Sequence, residues 1–279
     1  MATEAPAPAE VRRARLVRAM AERGFLRVTD ASEEFGVSGV TVRSDLAVLE
    51  AEGTIVRVHG GAMLRTPTAG SESSFESSLA LQGAAKRAIG RAAAALVTPG
   101  SSIILDVGTT ALAVAHALVD RRDLSDVLIV TNGLTIALAL EPAMPRFTVV
   151  VTGGTLRPLQ HSLVNPFTSP FLETLHVDLA FIGCNGVDVA GGVTNINLPE
   201  AEVKRRMVLQ AARPVIVADS SKLGVTRVGG IAPVAEFDSL VTDAADDDPR
   251  VVALRATALT VISAVPGSGQ NPPDPRSAP

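Results

Sequence analysis

Residues 34–62 read Glu34-Phe35-Gly36-Val37-Ser38-Gly39-Val40-Thr41-Val42-Arg43-Ser44-Asp45-Leu46-Ala47-Val48-Leu49-Glu50-Ala51-Glu52-Gly53-Thr54-Ile55-Val56-Arg57-Val58-His59-Gly60-Gly61-Ala62. Gly36-Val37 predicts a tight turn, Ser38 can cap a helix over 39–50, and Gly53 follows its end. Just upstream, Thr29 is a candidate cap for a short helix over 30–35. Two short helices joined by a turn of this length are the helix-turn-helix plan. Ile55 to His59 then alternate, Gly60-Gly61 can turn the chain, and 62–65 can return as the second strand of a wing. Ahead of these lies an amphipathic helix over 10–23. Val11, Ala14, Val17 and Met20 are expected on its core face, Arg12, Arg15 and Arg18 away from it, and Gly24 at its end.

Charge is distributed to suit this plan. The chain has 279 residues and a formal net charge of −4, which by itself argues against nucleic acid. Residues 11–66, however, hold nine Arg against seven acidic residues, and six of those Arg lie within 11–27. Positive charge able to approach phosphate is therefore gathered at one end. Val42, Leu46 and Leu49, spaced four and three apart, should face the module's core. That turns Gly39, Val40, Thr41, Arg43, Ser44 and Ala47 to solvent on the candidate reading helix. Ser38, Gly39, Thr41, Arg43 and Ser44, with Arg57 and His59 of the wing, are the predicted DNA-binding residues. Arg43 can take a guanine or a phosphate, Thr41 and Ser44 a phosphate.

Beyond residue 81 the pattern changes to alternating strands and helices. Strands are predicted at 102–106, 127–131, 147–152, 178–183, 214–218, 239–242 and 258–263. Helices are predicted at 81–97, 109–120, 134–141, 166–175, 199–212 and 249–256. Unbroken apolar strands such as Val127-Leu128-Ile129-Val130 indicate a mostly parallel sheet covered on both faces. The expected organisation is a tail over 1–9, a winged helix-turn-helix domain over 10–65, a linker over 66–80, an α/β domain over 81–265 and a second tail over 266–279.

Composition narrows the class. Hydrophobic residues make up 47% of the chain and charged residues 19%, which fits a folded globular protein rather than a disordered one. Trp and Tyr are absent and there are eight Phe, so Ala, Val, Leu and Ile must build the core. The single cysteine, Cys184, excludes an internal disulfide, and its apolar surroundings in the sequence read as a buried structural thiol. The four histidines show no ligand spacing, so no metal site and no cofactor are expected. No apolar run is long enough to span a membrane, and 1–10 lack the pattern of a signal peptide. A cytoplasmic protein is the expectation.

Every glycine-rich or polar cluster of the second region follows a strand: Asp106-Val107-Gly108-Thr109-Thr110, Thr131-Asn132-Gly133, Thr152-Gly153-Gly154-Thr155-Leu156-Arg157 and Asp219-Ser220-Ser221-Lys222. Ligands of open α/β sheets collect at these carboxyl ends, and a helix opening after small residues favours an anion. Convergence of four clusters at one edge predicts a phosphate or sugar-phosphate pocket. Glu200 and Lys204, four apart on one helix, fit either a surface ion pair or the lining of that pocket.

Residues 24–62, with Thr41-Val42-Arg43-Ser44-Asp45-Leu46 and His59-Gly60-Gly61-Ala62, resemble the signature of the DeoR family of bacterial regulators. The resemblance continues through 81–263 in Asp106-Val107-Gly108-Thr109-Thr110, Thr131-Asn132, Gly153-Gly154, the run 178–183, Gly186-Val187-Asp188, Glu200-Ala201-Glu202-Val203-Lys204 and Asp219-Ser220-Ser221-Lys222-Leu223-Gly224. It implies a second domain with a sugar-phosphate-isomerase-like fold used as a sensor. On this basis the protein is not an enzyme but a repressor of a carbohydrate operon, whose partners are double-stranded operator DNA, a phosphorylated sugar and further copies of itself as a dimer or tetramer. Asp106, Gly108, Thr109, Thr110, Asn132, Gly153, Gly154, Glu200, Lys204 and Lys222 would line the effector pocket, and Thr41, Arg43 and Asp45 would mark the recognition helix. Ser44 and Asn165 depart from the family pattern, where a basic residue and a glycine are usual. Two rivals remain on sequence alone: an active sugar-phosphate isomerase with an added DNA module, for which Asp106, Glu200 and Lys222 are available, and a second domain that serves only for assembly.

Overall fold

The computed structural model describes residues 8–51, 53–58, 60–64 and 72–264. They form two compact units that divide between Gly83 and Ala84. The first contains helices α1 (Ala9–Arg23), α2 (Val28–Phe35), α3 (Gly39–Ala51) and α4 (Phe75–Ala80) and strands β1 (Leu26–Arg27), β2 (Ile55–Val58) and β3 (Gly61–Leu64). The strands form an antiparallel sheet in the order β1-β3-β2, so the expected hairpin wing is present. Val42, Leu46 and Leu49 of α3 join Leu16, Val17 and Met20 of α1 in one apolar core.

Three local features differ from what the sequence predicts. On α1 the core face carries Leu16, Val17, Ala19 and Met20, while Val11 is 45% exposed and Ala14 is also exposed. Leu16 and Met20 lie four apart and set the stripe. Arg12, one turn ahead of Leu16, therefore comes to the inner side instead of pointing away. Second, α2 starts at Val28 without a side-chain cap, and the Thr29 hydroxyl bonds Asp30 at 3.0 Å. Third, the end of the expected linker is helical. The Ser74 hydroxyl accepts from the Ser77 amide at 3.2 Å, and Phe75 is buried, which starts α4.

In the second unit, a seven-stranded parallel sheet runs in the order β15-β14-β12-β9-β4-β5-β6. Its elements in chain order begin with α5 (Gly83–Ala94), β4 (Ser102–Leu105), α6 (Thr109–Asp120), β5 (Val127–Thr131), α7 (Leu134–Leu140) and β6 (Phe147–Val151). A short hairpin, β7 (Thr155–Arg157) and β8 (Ser162–Val164), precedes α8 (Thr168–Leu172) and β9 (Val177–Gly183). There follow β10 (Gly186–Asp188), β11 (Gly192–Asn195), α9 (Leu198–Leu209), β12 (Ala211–Val217), β13 (Gly229–Ala232), β14 (Ser239–Thr242), α10 (Pro249–Arg255) and β15 (Thr260–Ser263). All seven predicted strands lie in the large sheet. The hairpin and the small β10-β11-β13 sheet were not predicted, because strands of three or four residues broken by glycine carry too little alternation to read.

Strand order fixes where a ligand can enter. From β4 the chain proceeds outward through β5 and β6, and from β9 it proceeds the other way. The crevice at the carboxyl ends of β4 and β9 is therefore the switch point of the sheet. Gly90 of α5 lies against α6: a Cβ there would stand 2.4 Å from the carbonyl oxygen of Ala113. Among the described residues, no helix is long and apolar enough to cross a membrane.

Candidate effector site and nucleic-acid interface

Asp106 leaves the end of β4 and is fully buried. One carboxylate oxygen, Oδ2, accepts from the Gly183 amide at 2.9 Å and from the ammonium of Lys204. The other, Oδ1, is buried with no partner. Burial pushes the Asp106 carboxyl pKa up, ahead of the opposing pull of Lys204. Burial also works against the Lys204 ammonium, but Asp106 and Glu200 outweigh it, and its pKa is raised.

Lys204 reaches this point from α9, whose start is fixed by Asn197: its side chain accepts from the Glu200 amide at 3.0 Å. Glu200 and Lys204 are each 4% exposed, so the surface-pair reading is overturned. Each finds its partners elsewhere in the chain. Glu200 Oε1 takes the guanidinium of Arg157 and the Ser162 hydroxyl, the latter at 2.6 Å, while Oε2 takes Asn195 Nδ2 at 3.4 Å. Two ion pairs, Asp106–Lys204 and Glu200–Arg157, therefore stand in the crevice.

The remaining predicted pocket residues stand on the neighbouring strand ends. Asn132, after β5, is buried, donates to the Leu163 carbonyl at 3.1 Å and leaves its Oδ1 unpartnered. Gly108 precedes α6 at φ +117° with no side-chain cap, followed by a buried Thr109 and a half-buried Thr110. The backbone amides of that first turn are thus left for an outside acceptor. Gly153 and Gly154 follow β6 at positive φ, and a Cβ at Gly154 would stand 2.3 Å from the Val164 carbonyl oxygen. Lys222 does not bond to the Asp106–Lys204 pair. Its charge is felt at Lys86 and Cys184. Lys86, on α5, is 7% exposed, and burial lowers its pKa to about 8 against the pull of Asp219. Cys184 is half-buried, and desolvation pushes its thiol up to about 12.

Sequence reasoning missed Ser162, Asn195 and Lys86 and gave Arg157 no role. Only Lys86 left a signal: a lysine on the same face as Ile89, Gly90 and Ala93, all of them buried.

In the first unit, the Ser38 hydroxyl caps α3, accepting from the Thr41 amide at 3.1 Å and meeting the Thr41 hydroxyl at 2.9 Å. These two side chains hold the helix start. Gly39 is half-buried, while Val40, Arg43, Ser44 and Ala47 are exposed. Asp45 is 4% exposed and accepts from Arg12 at 2.5 and 3.1 Å, so it anchors α3 to α1 and faces away from solvent. Arg57 lies 3.8 Å from Glu50. His59 falls outside the described residues.

Comparison with known proteins matches residues 12–68 to the DeoR-like helix-turn-helix domain and 81–244 to the DeoR C terminal sensor domain. The putative aga operon transcriptional repressor of Escherichia coli O157:H7 is 35% identical over 90% of this chain and 92% of its own length. The HTH-type transcriptional regulator GlpR of Haloferax volcanii is 35% identical over 92% of this chain and 98% of its own. The glycerol-3-phosphate regulon repressor of Escherichia coli K12 is 30% identical over 82% and 88%. Among solved structures, ribose 5-phosphate isomerase A of Methanocaldococcus jannaschii has a TM-score of 0.36 at 19% identity, covering 49% of this chain and 52% of that one. With a helix-turn-helix unit and a sensor unit matched in order along the chain, this protein belongs to the DeoR family of transcriptional regulators.

Proposed function

We propose that this protein represses a carbohydrate-catabolism operon and that a phosphorylated sugar, bound at the carboxyl edge of the sheet, changes its affinity for operator DNA. The observation that carries this reading is the pair of buried oxygens without partners, Asp106 Oδ1 and Asn132 Oδ1, at adjacent strand ends. Both want hydrogen-bond donors, which the hydroxyls of a polyol supply. The uncapped first turn of α6 beside them suits a phosphate. Glu200 and Lys204 would orient Asp106 and hold the crevice in shape, and Gly153 and Gly154 would let backbone approach the ligand. Lys222 and Lys86 add positive charge farther along the same edge.

On the DNA side, Arg43 and Ser44 of α3 would meet the major groove, while Ser38 and Thr41 fix the helix start and Asp45 fixes its attitude. Two or more copies would present their modules to repeated half-sites in the cytoplasm. A panel of phosphorylated sugars and polyols in a thermal-shift assay tests the site: a ligand at 100 times its Kd should add about 2.7 kcal/mol of stability. The same ligand should change operator affinity in a gel shift by about 5- to 150-fold. Stabilisation by no phosphosugar would sink the sensor reading.

A further inference from the structure

The two edges of the seven-stranded sheet differ. At β15, Thr260 donates to the Asp238 carbonyl and Ala264 to that of Thr242, so Val261 and Ser263 turn their backbone outward. There the Val261 carbonyl accepts from Arg255 at 3.2 Å, and the Ser263 hydroxyl donates to Asp246 at 2.6 Å. Charged side chains thus guard this edge.

No such guard stands at β6. Val127 donates to the Arg146 carbonyl at 3.4 Å and Thr152 to that of Thr131 at 3.1 Å. Phe147, Val149 and Val151 accordingly present their N–H and C=O groups outward. Among the described residues, nothing bonds to those groups. No charged side chain occurs from Phe147 to Leu156. Arg146, just ahead, donates back to the carbonyls of Val119, Arg121 and Leu124. Apolar surface flanks the strand: Leu138, on the helix packed against β6, is 70% exposed, Met144 55% and Val151 41%.

This edge reads the same in both directions: Thr148-Val149-Val150-Val151-Thr152. We propose that β6 pairs antiparallel with β6 of a second copy of this chain, about a two-fold axis through Val150, joining two sheets into one. In that register Val149 exchanges both backbone bonds with the other copy's Val151, the outward-facing parity that β6 presents. Val150 meets itself, and Thr148 lies opposite Thr152. Paired β-branched and threonine side chains favour the contact, and the absence of charge leaves no like-sign repulsion across the axis. A slip of one residue in either direction sets a threonine against valine and loses the match. The palindrome specifies a second copy as occupant, since a foreign strand would have no need of it. This inference rests on the proposed association of subunits and names its surface.

Cysteine cross-linking of the full chain tests it. Across the axis, a non-hydrogen-bonded antiparallel pair holds its Cα atoms about 4.5 Å apart, within reach of a disulfide. Val150→Cys should therefore give a covalent dimer on mild oxidation. Thr148→Cys, set roughly 13 Å from its symmetry mate by four residues of strand, should give none, nor should the unaltered chain, whose one cysteine, Cys184, lies off this strand. Val151→Lys, which puts a charge into the joint, should halve the mass seen by light scattering with its circular dichroism unchanged. A multimer that survives Val151→Lys, with no link through Val150→Cys, overturns the β6 joint and leaves subunit association standing. A wild-type chain that is monomeric at tens of micromolar overturns both.

Discussion

Lys204 is a cation that the fold has taken almost wholly out of water, and it is tolerable there because Asp106 and Glu200 stand on either side. Removing it strands the Asp106 carboxylate, whose ionised form then has no counter-charge in a medium of low polarity. Lys204→Met should lower unfolding stability by about 3–5 kcal/mol in a urea titration. Lys86 makes a different statement. Its folded pKa of about 8 lies below the ordinary 10.5, so between those values the unfolded chain binds the extra proton and raising the pH favours the fold. Above about pH 9.0 Cys184, raised to about 12, acts in the opposite sense. Between about pH 8 and 9 stability should therefore climb by up to about 1.4 kcal/mol, and Lys86→Met should flatten that rise in a denaturation series. At this scale the sequence was half legible. Glu200 and Lys204 could be seen as neighbours on a helix, but Arg157 lies 43 residues from the first and Asp106 98 from the second. No local pattern encodes which distant loop will deliver a partner.

Secondary structure was more readable where the element was long or its ends were chemically marked. Ser38, Gly36 and Gly53 bracket α3 and its turn in the sequence and do so in the structure. Inner strands of the large sheet such as Val127-Leu128-Ile129-Val130 and Val215-Ile216-Val217 announced themselves as unbroken apolar runs. Where a helix had few apolar residues the reading slipped. On α1 a choice among alanines and valines decided the face, and Leu16 overruled it. The Arg12–Asp45 tie followed from that rotation and could not be foreseen, because aspartate on a predicted reading helix looks like a contact residue until its depth is known. Arg43, exposed one turn into α3, is left as the charged candidate for reading DNA. Arg43→Ala should weaken binding to a site selected from random duplex DNA by about 5- to 150-fold, whereas a solvated surface arginine would change it little. Fluorescence anisotropy at fixed salt measures the difference.

Across the whole molecule, the division into a small all-purpose DNA module and a larger sheet was legible because charge and periodicity both change between residues 66 and 81. What composition could not disclose is how tightly the parts of the larger unit are geared. Gly90 has room for no side chain, since its α-carbon faces the peptide of Ala113. At this point the helix that carries Lys86 and the helix that opens with Gly108-Thr109-Thr110 therefore meet main chain to main chain, with no side chain between them. A displacement of one of these helices at this contact should therefore be felt by the other. A single hydrogen atom, in place of a methyl, sets the play in that gearing.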